Sequence, residues 1–292
     1  MKNSICLFTV IYPGCEPWLP RFFESVAGQT RDDFDLMILN DGITDAENLI
    51  PVNPGRFQLI TVSGTIAKVR QQGIGLLMDS DYEKIIFADA DDYFSENRIQ
   101  KAAEALETTD IYVNDLTSVD KAENLIQKNY FSGRLGREYE IEPDFILRKN
   151  IIGLGNSAVR KSMLREIDIP DDTIAVDWLI FTDMLLRGCS AVFNSECITF
   201  YRQHDNNTAG FKKITPQKIE HALSVQLQNA AYFAEVSVKH KEHYKKLKKL
   251  SSLLNKSSRH LQGYITEIEK TLPEQPFWWE EIKTLDELNT DL

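Results

Sequence analysis

Only four cysteines occur in the 292 residues, and none form a CxxC pair. Cys189 and Cys197 have no histidine at metal-ligand spacing, so Cys6, Cys15, Cys189 and Cys197 read as reduced cytosolic thiols. Long apolar runs are missing as well. No stretch approaches the roughly 20 apolar residues of a spanning helix. Positive charge is in deficit: the formal net charge is −11 and the pI about 5.0. A nucleic-acid-binding body needs a basic surface, so that class is excluded. There is no internal repeat and no low-complexity tract.

What remains is an ordinary apolar and charged content for a globular chain, long enough for one large domain with a helical appendage. Ile5–Tyr12 has the apolar character of a short signal-peptide core, and Gly14-Cys15 hints at a lipoprotein cleavage site. Only Lys2 precedes it and Pro13 breaks the small-residue pattern, so the segment is read as a first strand.

The most informative stretch is Ile85-Ile86-Phe87-Ala88-Asp89-Ala90-Asp91-Asp92-Tyr93. A short run rich in Ile and Phe reads as a buried strand. It ends in three carboxylates within four positions. Like charges so close repel unless something positive neutralises them. A divalent cation holding a phosphorylated ligand does so, and ligands of open α/β sheets bind at the carboxyl ends of strands. A metal-dependent enzyme acting on a phosphorylated substrate is therefore expected.

The rest of the chain reads as strands alternating with helices, which predicts an α/β fold with a mostly parallel central sheet. Strands are expected at Ile5–Ile11, Phe34–Leu39, Phe57–Val62, Lys84–Ala88 and Asp110–Asn114. Helices are expected at Pro17–Ala27, Ile66–Met78 and Ile99–Leu106, the last capped by Ser95. Leu116–Glu140 reads as loops or a hairpin. Phe145–Lys149, Lys161–Glu166 and Val176–Arg187 read as helices, the last stopped by Gly188. Ser190–Asn194 and Ile198–Tyr201 read as short strands. Thr215–Thr271 is nearly free of Gly and Pro and has helical periodicity. A boundary near Gly210 therefore separates a catalytic domain over 1–210 from a C-terminal α-helical extension over 211–292.

Four segments, taken together, resemble family 2 glycosyltransferases of the GT-A fold. They are Thr9-Val10-Ile11-Tyr12-Pro13, Phe34–Asn40 leading into Asp41-Gly42, Ala67-Lys68-Val69-Arg70-Gln71-Gln72-Gly73-Ile74, and Asp89-Ala90-Asp91-Asp92. A lone DxD is weak, but order and spacing together are specific. Ile152–Arg160, Val176-Asp177-Trp178 and Tyr201–Asn207 match the family more loosely, so the resemblance covers about residues 4–210. The chain departs from the family's pattern at Gly14-Cys15, at Asn40 where Asp is frequent, at Gln71 for Asn, and at Val176 for Glu.

The resemblance implies a nucleotide-sugar half over about 1–115 and an acceptor half over about 116–210. It implies that Tyr12, Pro13, Asp41, Arg70, Asp89 and Ala90 bind a nucleotide sugar, the donor being UDP-linked. Asp91 and His204 would hold Mn²⁺ or Mg²⁺, for which hard oxygen ligands suit. Asn156 and Trp178 would lie on the acceptor side. Asp177 is the expected general base: inverting transfer needs a carboxylate to take the acceptor's proton as its hydroxyl attacks the anomeric carbon. The implied activity is a glycosyltransferase of the hexosyl-transferring type, moving sugar to a glycan or lipid-linked acceptor in bacterial surface polysaccharide synthesis.

Each residue also has a plainer reading. Asp41 suits a turn before Gly42. Arg70 suits a surface position on its helix, Tyr12 a core position, and Asp177 the positive end of a helix. Trp178 suits simple packing, and His204 a structural role. Two rival functions remain. A haloacid-dehalogenase-type phosphatase also uses DxD, but on the first strand and with Thr or Val where this chain has Tyr93. A non-catalytic relative would bind nucleotide sugar without turnover.

The segment Lys239–Lys249 holds six lysines with Leu247, Leu250, Leu253 and Leu254 nearby. Such a helix either packs its leucine stripe on the catalytic domain or a second subunit, giving a homo-dimer, or lies on an anionic membrane surface. In the second case Phe277-Trp278-Trp279 would add an interfacial anchor. The expected location is cytoplasmic, with peripheral contact at the inner face of the membrane as the alternative to a free protein.

Overall fold

The computed structural model describes residues 3–51, 56–204 and 214–288. The chain divides into two compact units. The first comprises Met1–Glu142, Ile152–Asp172 and Asp183–Asn206; the second comprises Pro143–Ile151, Thr173–Thr182 and Asn207–Leu292.

The first unit is built on one sheet with ten strands among the described residues. In chain order they are β1 (Ile5–Ile11), β2 (Phe34–Asn40), β3 (Arg56–Thr61), β4 (Lys84–Asp89), β5 (Tyr93–Phe94), β6 (Ile111–Val119), β7 (Leu125–Gln127), β8 (Glu138–Glu140), β9 (Ser157–Arg160) and β10 (Ala191–Arg202). The main path runs β3-β2-β1-β4-β9-β6-β10-β5, with β7 on β6 and β8 on β10. β3, β2, β1 and β4 are mutually parallel, as are β6 and β10. β9 lies antiparallel between β4 and β6. Every residue of β1 and β2 is buried, which is why both read as continuous apolar runs.

Helices α1 (Leu19–Ala27), α2 (Ile66–Met78) and α3 (Arg98–Ala105) flank this sheet, with a short α4 at Ser132–Leu135. α1 contributes Leu19, Phe22, Phe23 and Val26 to a core that also holds Ile5, Leu7, Leu36, Ile38 and Ile86 from the strands. Each such side chain contributes about 1.5–3 kcal/mol on full burial. α2 is capped by Thr65, whose hydroxyl accepts from the Lys68 amide. It approaches β1 closely: a Cβ at Gly73 would stand 2.5 Å from Phe8 Cζ.

α5 (Val176–Leu186) ends before Gly188, whose φ of +90° is the left-handed conformation that suits glycine. The second unit contains α6 (Pro216–Tyr232), α7 (Val238–Leu254), α8 (Ser258–Thr271) and the short α9 (Leu285–Leu288). Thr215, Ser237 and Ser257 cap α6, α7 and α8 through their hydroxyls. These three helices pack on one another. The leucine stripe of α7 is buried at Leu247, Leu250 and Leu254, so its partners include α6 and α8 of the same unit.

Several expectations need correction. Phe145–Lys149 forms turns and no helix; five residues are too few to establish a period without tertiary support. Lys161–Glu166 shrinks to a 3₁₀ turn at Lys161–Met163. Ser95 does not cap α3: Asn97 occupies the cap, and the Ser95 hydroxyl donates to Asn97 Oδ1. The two strands expected after Gly188 are one strand, β10, with an irregularity between Asn194 and Ile198. Leu116–Glu140 includes the hairpin β6–β7. Phe277 and Trp279 are buried, so they are not an interfacial anchor. Asp205–Asn207 and the boundary near Gly210 lie outside the described residues. All four cysteines are buried and unbridged.

Candidate active site

Three neighbouring parallel strands end at one edge of the sheet. Register pairs Ile11 of β1 with Asn40 of β2, and Val10 with Asp89 of β4. Tyr12, Asp41 and the acidic triplet therefore emerge side by side, where open α/β sheets bind ligands. The buried Asn40 side chain shapes the turn after β2: Oδ1 accepts from the Ile43 amide at 2.8 Å, and Nδ2 donates to the Ile43 carbonyl at 2.9 Å. Gly42 takes a φ of +94° in that turn, and a Cβ there would contact Pro13 Cγ at 3.7 Å. Pro13 and the Asp41-Gly42 turn thus stand together.

The three carboxylates take separate partners. Asp89 Oδ1 accepts from Arg70 Nη2 at 3.1 Å. Asp91 Oδ2 accepts from the Tyr12 hydroxyl at 3.1 Å and lies 2.8 Å from His204 Nε2. Asp92 is buried; its Oδ1 accepts from the Arg202 amide at 2.8 Å, while Oδ2 has no hydrogen-bond partner among the described residues. An orphaned buried carboxylate oxygen is costly and calls for an explanation. Burial, followed by the charges of Asp91 and Asp89, raises the Asp92 carboxyl well above the usual range. Burial likewise raises Asp89, with Arg70 as the largest opposing influence. Burial also raises Asp41, again opposed by Arg70. Burial, then Asp91 and Asp89, raises the Tyr12 phenol.

Below the triplet lies a fixed framework. Arg98 is 1% exposed, and its guanidinium donates to the carbonyls of Phe87 and Gly155 and to Asn114 Oδ1. Burial lowers its pKa to about 10. Arg202 Nε donates to the Asp91 carbonyl at 2.9 Å, and its guanidinium lies 4.6 Å from the Trp18 ring centre. Trp18 in turn stacks on His204, centroids 6.1 Å apart and planes 17° from parallel. Gly155 closes the inner side: a Cβ there would stand 2.8 Å from Asp89 Oδ2 and 3.1 Å from Asp92 Oδ2.

Among the described residues, no group of three or more His, Cys, Asp or Glu side chains is arranged to hold a metal by itself. The pair formed by Asp91 and His204 fits a different mode. Mg²⁺-type sites use one or two protein ligands and draw the rest from substrate phosphates and water. The surplus of buried negative charge at the triplet suits a cation placed there.

The sequence model for "Glycosyl transferase family 2" matches residues 6–168. The chain belongs to that family. It is 23% identical over 218 residues to "dTDP-rhamnosyl transferase RfbG" of Shigella flexneri, covering 67% of this chain and 71% of that protein. It is 23% identical over 257 residues to an uncharacterised glycosyltransferase of Nostoc sp., covering 78% and 74%. S. aureus TarS 1–349, solved with UDP-GlcNAc, superposes with a TM-score of 0.56 at 16% identity, covering 81% and 72%. The mannosyltransferase PcManGT from Pyrobaculum calidifontis, solved with GDP-Man and Mn²⁺, gives 0.53 at 14%, covering 81% and 66%. These likenesses establish the GT-A fold.

In this glycosyltransferase the structure gathers Tyr12, Pro13, Asp41, Arg70, Asp89, Ala90, Asp91 and His204 at one edge of the sheet of the first unit. Arg70 faces the triplet, so the surface reading of that residue fails. Membership of the family also removes the phosphatase rival. Asn156 is wholly buried; its Oδ1 accepts from the Gly153 amide and its Nδ2 donates to the Asn114 carbonyl, so it braces the loop carrying Gly155. Asp177 and Trp178 belong to the second unit. Asp177 sits in the first turn of α5, half-buried, and accepts from Asn150 Nδ2 at 3.2 Å. Trp178 is 1% exposed and donates Nε1–H to the Ile146 carbonyl at 2.7 Å, as a packed residue does.

Sequence reasoning assigned no role to Trp18, Arg98, Gly155 or Arg202. Arg98 lies in an otherwise ordinary helix start, and Gly155 in a loop. The available signal was at Arg202, a cation that ends a β-rich run within the Tyr201–His204 stretch.

Proposed function

We propose that this glycosyltransferase uses a UDP-linked sugar and a divalent cation, Mn²⁺ or Mg²⁺, and transfers the sugar with inversion. The observation that carries the reading is Asp91, met at one oxygen by Tyr12 and His204. Asp91 and His204 would hold the ion. When bound, the ion supplies neutralisation of the charge that grows on the leaving diphosphate. Asp41 accepts hydrogen bonds from the base or ribose, and Tyr12 and Pro13 wall the cleft. Arg70 holds Asp89 in place and supplies positive charge toward the donor. Arg202, braced on Trp18, fixes the backbone at Asp91.

Asp177 takes the proton of the acceptor hydroxyl, which attacks the anomeric carbon from the face opposite the diphosphate. The acceptor is a hydroxyl of a glycan or lipid-linked carrier, in the synthesis of a bacterial surface polysaccharide at the cytoplasmic side. The membership of the family and the company of sugar transferases support this reading.

A panel of nucleotide sugars, each with and without Mn²⁺, read by thermal shift, tests the donor side. UDP-linked members should stabilise the protein only when the ion is present. Stabilisation by a purine-linked donor alone, or by any donor equally without the ion, overturns it.

A further inference from the structure

The second unit carries a charge pattern that the transfer reaction does not use. Between Glu235 and Gln262 the chain has eight lysines and arginines and two carboxylates, Glu235 and Glu242, with Glu235 lying 4.0 Å from Lys241. The whole chain carries −11. This local reversal lies mainly on α7. His240, His243, Leu247, Leu250 and Leu254 form the buried stripe of that helix. Lys241, Lys245, Lys248 and Lys249 are exposed, and their spacing of three and four residues puts them on the opposite side.

The outer side is not purely ionic. Val238, on the same stripe as Lys241 and Lys245, is 74% exposed, and Val236 in the preceding turn is 77% exposed. Tyr232, at the end of α6, also reaches the surface. Exposed β-branched residues beside a row of lysines are what a bilayer surface accommodates, with headgroup charge for the ammonium groups and an apolar layer beneath. A nucleic acid would meet the lysines but offers no apolar layer for Val236 and Val238.

We propose that the outer side of α7, with the α6–α7 turn, docks the protein on an anionic phospholipid surface. This goes beyond the proposed reaction and does not depend on it. The leucine stripe is already satisfied within the unit, so docking needs no unfolding of the helix. Held this way, the enzyme would be concentrated at a surface rather than anchored in it.

The test is co-sedimentation of the full chain with vesicles. Phosphatidylcholine vesicles containing about one third phosphatidylglycerol should retain it at low salt, and pure phosphatidylcholine should not. Changing Lys241, Lys245, Lys248 and Lys249 together to Gln should lower the partition by at least about a hundredfold, at roughly fivefold per lysine. V236S with V238S should weaken it less while leaving the salt dependence in place. Both variants should melt as the parent does and keep its thermal response to UDP with Mn²⁺, which separates this proposal from the donor reading. Equal binding to neutral and anionic vesicles, undiminished binding of the four-lysine variant, or tighter binding to duplex DNA than to the vesicles overturns it.

Discussion

The His204 imidazole meets Asp91 Oδ2 at 2.8 Å across 113 residues of sequence. The contact joins the end of the β10 segment to the turn after β4. His204 is held from behind by Trp18, and Asp91 from behind by Arg202. Both sides of the contact are thus fixed by packing.

Replacing Asp91 by Asn should remove the Mn²⁺-dependent part of the response to UDP. At a ligand concentration about a hundred times the dissociation constant the parent gains roughly 2.7 kcal/mol. The variant should fall to the response seen with nucleotide alone. A response equal to the parent's eliminates Asp91 as a ligand.

Gly155→Ala should damage the site. The added methyl would meet Asp89 Oδ2 at 2.8 Å and Asp92 Oδ2 at 3.1 Å, so one or both carboxylates must move. A loss of about 1–3 kcal/mol in denaturant unfolding is expected, with more than tenfold weaker donor binding. Gly75→Ala in α2 meets nothing within 4 Å and serves as the control, gaining up to about 1 kcal/mol from helix propensity.

Asp177→Asn should bind donor like the parent and transfer more slowly by about 10²–10⁴-fold. Donor affinity comes from thermal shift and transfer from product formation. Transfer near the parent rate would mean that another group takes the proton.

Acid should weaken the second unit before it protonates ordinary carboxylates. Burial lowers His240 and His243 from 6.5 to about 4. A lowered histidine favours the folded state above its unfolded value, so that stability is complete above about pH 6.5 and lost as pH falls toward 4. Tryptophan-monitored urea unfolding at pH 7.5 and 5 should show it, and H240F should flatten the difference. An unchanged slope in that variant counts against the assignment.

Much of the fold was legible because its signals are local. α2 runs from Ile66 to Met78 as periodicity predicts, and β1 occupies Ile5–Ile11 as its apolar run predicts. β10 reads as two strands in the sequence because Ser195 and Glu196 interrupt its apolar pattern where the register shifts. The insertion of β9 between β4 and β6 has no local signature; it is a pairing between distant segments. The site divides the same way. Three carboxylates closing an apolar strand announce themselves. Arg98 and Gly155 matter only through what distant parts of the chain bring to them, and a single sequence does not display that.

The carboxylate at Asp91 draws one neighbour from just after the opening strand and another from beyond β10. A growing polypeptide therefore has Tyr12 and the whole acidic turn long before His204 leaves the ribosome. Any fragment ending short of that histidine should gain far less from manganese and nucleotide than the finished protein, however well its strands have paired.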